Sequence, residues 1–310
     1  MLRENNFQGK DIKLNTNLSL SKQHIRGLFS YTHPNFRYTG RALTTSVQST
    51  VTDKMTNYGY KSTLNKLAFG TSYEQYDNLF FSPTFSIGNE SLTTNSNASA
   101  NLKKQEGSYF DTNVFYTLSY DRRNQAYRPT SGFLSRFIQN IPLVSESYSL
   151  LNGYEFTAYK ELLDEMIFTF SIYGRTVQAL KTGEDVRISK RLYLPYRRLR
   201  GFESGKIGPI DAGDFVGGNY AASLNASTTL PYLVGNMENV DLKLFFDAGN
   251  VWGVDYSNSI GDSNKIRSAT GIAVDWLTPV GPLSFSFAQP INKASTDKTE
   301  GFRFRIGTSF

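Results

Sequence analysis

Residues 302–310 read Phe302-Arg303-Phe304-Arg305-Ile306-Gly307-Thr308-Ser309-Phe310, and they say most about this chain. Phe302, Phe304, Ile306 and Phe310 share one phase of a two-residue period, and Arg303 and Arg305 occupy the other. A strand places successive side chains on opposite faces, so this segment separates an oily medium from one that accepts charge. The same pattern recurs upstream. Val240, Leu242, Leu244 and Phe246 alternate with Asp241, Lys243 and Asp247. Ile272, Val274 and Trp276 oppose Asp275; Leu283, Phe285 and Phe287 oppose Ser284, Ser286 and Ala288. Charges in mid-strand opposite aromatics fit a wet lumen better than a sandwich core, where each would need a buried partner. The expected fold class is therefore all-β: a transmembrane antiparallel β-barrel with hydrocarbon outside and water inside.

Composition agrees with that reading. Only 39 % of the 310 residues are hydrophobic and no run of eighteen apolar residues occurs, which excludes a spanning helix but not a barrel. Aromatic residues make up 14 %, rich enough to build girdles at two membrane interfaces. There is no cysteine, hence no disulfide or thiolate chemistry. The 33 basic residues are interspersed with 27 acidic ones; the net charge of +6 suits anionic lipid headgroups, and no basic block or zinc-finger spacing points to nucleic acid. Met1 is followed by Leu-Arg-Glu-Asn-Asn and not by an apolar secretion segment, which reads as a processed product, an excised segment or a piece of a longer gene.

Fourteen or fifteen candidate strands run from Ile12–Ser21 to Gly301–Phe310, with Arg187–Leu194 either a strand or part of a loop. Leu163-Asp164-Glu165 and Pro279-Val280-Gly281-Pro282 read as tight turns. Glu90–Asp111 and Val251–Ile266 read as long polar loops. Roughly Leu194 to Gly218 is the longest irregular stretch, and a loop of that length is the chief functional candidate.

That loop carries Tyr196-Arg197-Arg198-Leu199-Arg200-Gly201-Phe202 and Gly217-Gly218-Asn219. Upstream lie Asp121-Arg122-Arg123-Asn124 and Pro129-Thr130-Ser131-Gly132; downstream lie Phe245-Phe246-Asp247-Ala248-Gly249-Asn250-Val251-Trp252, Trp276-Leu277-Thr278-Pro279-Val280-Gly281-Pro282-Leu283 and Phe285-Ser286-Phe287-Ala288-Gln289-Pro290. In this order the series resembles the C-terminal barrels of outer-membrane assembly factors. These belong to the bacterial surface antigen superfamily, which also holds the two-partner-secretion transporters. Each motif alone is weak; the ordered series, spanning nearly the whole chain, is specific.

The resemblance implies a sixteen-stranded barrel preceded by periplasmic POTRA domains. About fourteen strands are expected here, in one domain over residues 1–310, with the POTRA region and most of the first hairpin missing. It implies that the loop folds into the barrel as a lid, with Arg200, Gly201 and Phe202 at its tip and Asp247 as the wall partner of Arg200. Where the family usually has a glutamate as a second partner for that arginine, this chain has Asn225, so the clamp is expected to be weaker or arranged differently. Asp241, Lys243, Asp275, Arg303 and Arg305 are expected as luminal charges. Phe302, Phe304, Ile306 and Phe310 are expected on a terminal strand that meets the first strand, and incoming clients, at a lateral seam.

The function so implied is folding and insertion of β-barrel clients in the bacterial outer membrane by strand templating. Its expected partners are unfolded outer-membrane clients, the bilayer with its anionic headgroups, accessory lipoproteins and the POTRA domains. The alternative is a two-partner-secretion pore, and a diffusion porin comes third. No cofactor, metal or enzymatic role is expected. His24 and His33 read as interface residues, and no Gly-x-Ser-x-Gly or HExxH motif occurs.

Overall fold

The computed structural model describes residues 2–233, 239–256, 260–262, 264–279 and 281–306. Among them the strands are β1 (Leu2–Phe7), β2 (Ile12–Leu20), β3 (His24–His33), β4 (Ala42–Lys54), β5 (Tyr60–Tyr76), β6 (Leu79–Thr94), β7 (Gly107–Asp121), β8 (Gly132–Ser145) and β9 (Ser149–Leu163). They continue with β10 (Met166–Ala179), β11 (Ile210–Asp211), β12 (Asp214–Phe215), β13 (Tyr220–Thr229), β14 (Val240–Trp252), β15 (Arg267–Thr278), β16 (Gly281–Asn292) and β17 (Phe302–Ile306). Fifteen form one sheet in chain order, with β10 pairing directly to β13; β11 and β12 make a small hairpin inside the intervening loop, 180–219. Two helical turns, α1 (Met55–Tyr58) and α2 (Ala100–Lys103), sit in connections. No described helix is long and apolar enough to cross a membrane.

The register turns the sequence alternation into two surfaces. Leu244, Ile272, Phe287 and Phe302 align across four strands, and each is about half exposed. The next outward row is Leu242, Val274, Phe285 and Phe304. Between these rows, on the opposite face, lies Lys243, Ala273, Ser286 and Arg303, followed by Asp241, Asp275, Ser284 and Arg305. Phe285 stacks on Phe304 and Phe287 packs on Phe302, each at 4.9 Å between centroids. These cross-strand aromatic pairs help fix the register of the last hairpin. From Val240, beside Trp276, to Trp252, beside Tyr220, β14 runs about 40 Å, or about 28 Å of membrane depth at a 45° tilt. The two tryptophans therefore mark the two hydrocarbon boundaries.

Three expectations change. The sheet has fifteen strands where about fourteen were expected, because Leu2–Phe7 pairs with β2 through Leu2↔Thr16 to Phe7↔Ile12. Its polar sequence hides it, since backbone pairing and not a buried face holds it. Arg187–Leu194 is not a barrel strand. Its alternating Val186, Ile188, Leu192 and Leu194 are buried within the loop, and Arg187 and Arg191 on the other phase are buried too. The long loop thus begins after Ala179 and not near Leu194. The connection read as Glu90–Asp111 is only 95–106, because β6 and β7 extend further and α2 fills the turn. β1 and β17 stand at the two ends of the hydrogen-bonded order, with no register between them among the described residues. Phe310 lies outside the described residues.

Candidate functional site

Asp247 and Asn225 face each other in the β13–β14 register, both on the inward phase. Asp247 has no solvent exposure. A buried carboxylate needs donors, and the loop supplies them. The Arg200 backbone N–H donates to Asp247 Oδ2 at 3.0 Å, its Nε to the same oxygen at 2.6 Å, and its Nη2 to Oδ1 at 2.7 Å. This is a two-pronged guanidinium–carboxylate pair with an added main-chain donor. The guanidinium also lies 3.5 Å from the centroid of buried Phe245, which covers it with an aromatic face.

Asn225 does not reach Arg200 in the way the family's glutamate is expected to. Its Nδ2 donates to Asp247 Oδ1 at 2.8 Å and to the Arg198 carbonyl at 3.0 Å. The neutral amide acts as a donor that bridges wall and loop.

Gly201 follows with φ +89, and a side chain there would press on Ala269 and Ala288 at 3.0 and 3.3 Å. Glycine serves both the left-handed turn and the close approach to β15 and β16. Phe202, 2 % exposed, packs with Tyr173, Leu194, Leu199 and Ile207. Beyond it the loop runs alongside the β16–β17 connection: the Glu300 N–H donates to the Gly201 carbonyl, and the Glu203 N–H to the Lys298 carbonyl, both at 3.0 Å. Tyr196 hydrogen-bonds Ser286, and Arg303 of β17 lies 4.3 Å over the Tyr196 ring. The loop therefore touches the segment that leads into the last strand and the strand itself.

Further anchors were not singled out from the sequence. Arg187, 1 % exposed, is held by Glu90 of β6 and Asp111 of β7, with Lys190 at 3.2 Å from Asp111. Arg191 binds Asn219 and Asp255. Arg198 reaches Glu155 of β9, which Arg175 also binds. Glu90, Asp111 and Glu155 all fall in the inward phase within their strands, and an acidic residue in that phase was the available signal. Burial lowers the Lys190 ammonium pKa first, with Arg187 adding to it and Asp111 opposing. Burial also holds the Tyr193 phenol well above its usual range, so its hydroxyl stays protonated and donates to the Phe215 carbonyl at 3.2 Å.

The remaining sequence candidates lie on the inward wall. Lys243 pairs with Asp275 at 2.7 Å, and Arg303 with Glu300 at 3.3 Å. Arg305 is half-buried beside Arg197 and Asp275. Asp241 pairs with Arg128 from the β7–β8 turn, four strands away around the sheet. That turn therefore folds in beneath the lumen. Phe302, Phe304 and Ile306 face outward and are exposed.

These features define a transmembrane β-barrel whose long loop is folded into its lumen and tied to the inner wall by buried arginines. The chain belongs to the Omp85 superfamily, whose domain matches residues 6–310. It is 32 % identical over 139 residues to the outer membrane protein assembly factor BamA of Neisseria meningitidis serogroup B, covering 36 % of this chain and 17 % of that protein. It is 26 % identical to the sorting assembly machinery 50 kDa subunit of Saccharomyces cerevisiae, covering 68 % of this chain and 46 % of that one. The fold matches the crystal structure of Haemophilus ducreyi BamA lacking POTRA domains 1–3 with a TM-score of 0.88 at 23 % identity, over 97 % of this chain and 65 % of that one. CdiB from Acinetobacter baumannii matches at 0.57 and 14 % identity, over 95 % and 53 %. The chain spans less than half the length of these curated relatives.

Proposed function

We propose that this chain is the barrel of an outer-membrane protein assembly factor, which folds β-barrel clients into the bacterial outer membrane without covalent chemistry. The observation that carries the reading is the loop whose tip Arg200 grips Asp247 while its flank runs along the connection into β17. A simple pore has no use for such an arrangement. The BamA and sorting-assembly relatives above support the same reading.

In this reading β17 acts as a template. An edge strand presents unpaired N–H and C=O groups, and an extended client segment satisfies them by adding as a further strand. Outward Phe302, Phe304 and Ile306 align the client's apolar phase with hydrocarbon, and inward Arg303 and Arg305 align its polar phase with water. The driving force is backbone hydrogen bonding out of lipid together with apolar burial in the client. Arg200 and Asp247 hold the lid that keeps the lumen shut and steadies the approach to β17; they are switch residues, not acid and base. Asp241, Lys243 and Asp275 keep the turn-end lumen wet and charged. Accessory lipoproteins and POTRA domains are the expected partners.

The test is client folding. The chain is reconstituted in vesicles, and a urea-unfolded outer-membrane barrel is added while its conversion to a heat-modifiable band is followed. Acceleration over empty vesicles is expected. Equal rates with and without the chain would overturn the proposal. Steady single-channel conductance without client folding would point instead to a pore.

A further inference from the structure

The outer wall has a notch just below its loop-end aromatic boundary. Register aligns Asn152, Thr176, Tyr220 and Trp252 in one outward row, and Tyr154, Gly174 and Ala222 in the next row toward the hydrocarbon. Phe137 flanks Tyr154 on β8. Gly174 and Ala222 make a flat floor. Phe137 and Tyr154 wall one side, and the Tyr220–Trp252 stack, 5.7 Å between centroids and 19° between planes, closes the top. The cavity holds about 300 Å³ and its lining is chiefly apolar. That volume is at the lower end of small-ligand sites, about 300–1,000 Å³.

Gly174 carries the argument. Glycine inside a strand weakens it, and its usual justification is an unusual backbone angle or a close neighbour. Gly174 has neither: its φ is not positive, and a side-chain carbon placed there meets no heavy atom within 4 Å. The space is kept open toward the membrane. The side chains above it are polar and bonded in two separate pairs: Gln139 Nε2 donates to Asn152 Oδ1 at 2.5 Å, and Gln178 Nε2 to the Tyr220 hydroxyl at 3.3 Å. An apolar slot opening into the hydrocarbon, roofed by boundary aromatics and a row of amides, has the order of a lipid: chain below, ester or amide linkage above. The slot continues the hydrocarbon-facing belt, so the chemistry that covers it is acyl chain.

We propose that this notch is a binding site for one acyl chain of a lipid in the loop-end leaflet, with Gly174 and Ala222 as its floor and Trp252 against the chain. The proposal requires only that the outer face of the barrel meets lipid, and its test does not depend on client assembly.

The chain has two tryptophans, Trp252 and Trp276. Trp276→Phe leaves Trp252 as the reporter in the full chain, reconstituted in phosphatidylcholine vesicles doped with phosphatidylcholine brominated along one acyl chain. The expected result is a saturable component of Trp252 quenching at low brominated fraction, above the proportional rise from random annular contact. Gly174→Leu, whose Cβ meets no neighbour and whose branched end projects into the slot, should abolish that component. Gly174→Ala, which leaves most of the slot open, should retain it. Quenching that rises only in proportion to brominated lipid, and equally in all three backgrounds, would overturn the proposal. Folding of each variant is checked independently by heat-modifiability.

Discussion

Asn225 donates its side-chain amide to Asp247 Oδ1, the same carboxylate oxygen that Arg200 Nη2 binds. A position where the resemblance implies a second acid therefore carries a group that stabilises the first one. Its other hydrogen bond, to the Arg198 carbonyl, ties the wall to the loop backbone. Replacing Asn225 with Leu removes both donations and should destabilise the lid by about 1–3 kcal/mol, the cost of leaving buried acceptors short of a donor. The temperature at which the compact band on a cold detergent gel converts to the unfolded band measures this, and an unchanged temperature would contradict the bridging role.

Asp247 is fully buried and the Arg200 side chain is 16 % exposed. Removing one partner strands the other charge, at about 3–5 kcal/mol, whereas removing both leaves neither uncompensated. Asp247→Leu and Arg200→Met should each lower stability and raise channel conductance as the lid loosens. The double variant should lose much less stability than the sum of the two. Additive losses in that cycle would mean that the two side chains act separately.

The barrel was legible because its physics is written in a two-residue period. The alternation at Val240–Phe246 and at Phe302–Ile306 gives strand, face and medium together. The inward-folded loop was legible where Arg200 meets Asp247, but not in its extent. Val186 to Leu194 alternates as a strand would, and nothing local distinguishes an extended chain buried in a loop from one hydrogen-bonded in a sheet. The anchors of Arg187 and Arg191 depend on contacts to Glu90, Asp111 and Asp255, brought together only by the closed packing of the loop. β1 was missed for the opposite reason: Leu2–Phe7 is exposed throughout, and its order comes from backbone pairing that leaves no trace in side-chain pattern.

At the other mouth, Arg128 reaches from the β7–β8 turn to Asp241 on β14. Both side chains are partly exposed, so the pair is worth little to global stability, about 0–1 kcal/mol. Its effect is on the position of the turn. Asp241→Asn should leave the unfolding temperature nearly unchanged while amide exchange across residues 124–131 speeds up, by hydrogen–deuterium mass spectrometry. Equal exchange in both proteins would remove Arg128 as the tether.

Asp185 sits in the lid near Asp255, the partner of Arg191. Burial raises its carboxyl above the usual range, Asp255 raises it further, and Arg191 and Lys104 oppose. A raised pKa in the folded state means that the fold prefers the protonated form. The stability it contributes is complete below the ordinary aspartate pKa and is lost as pH climbs through the raised value. Asp185→Asn, which mimics the protonated side chain, should therefore be more stable than the parent at neutral pH, with the difference closing as pH falls below the ordinary aspartate range. Thermal unfolding across pH 3 to 8 reads this out, and a gap that widens on acidification would reverse the assignment.

Depth along β14 gives the sharpest check of the outward phase. Phe246 lies midway between Val240 and Trp252, faces outward and is about half exposed, so it stands at the bilayer centre in this fold. Val240 shares the same face but lies at the turn-end boundary beside Trp276. An arginine at the centre of the lipid face costs about 2–4 kcal/mol, and near the interface about 0–1, because there the guanidinium reaches water. Phe246→Arg should thus be strongly destabilising in reversible folding into vesicles, and Val240→Arg nearly silent. In a soluble sandwich both residues would be equally exposed to solvent and both substitutions would be mild. A soluble core would make both severe. Only a hydrocarbon slab bounded at the two tryptophans separates them, and the size of that separation measures how much of the outer face meets lipid.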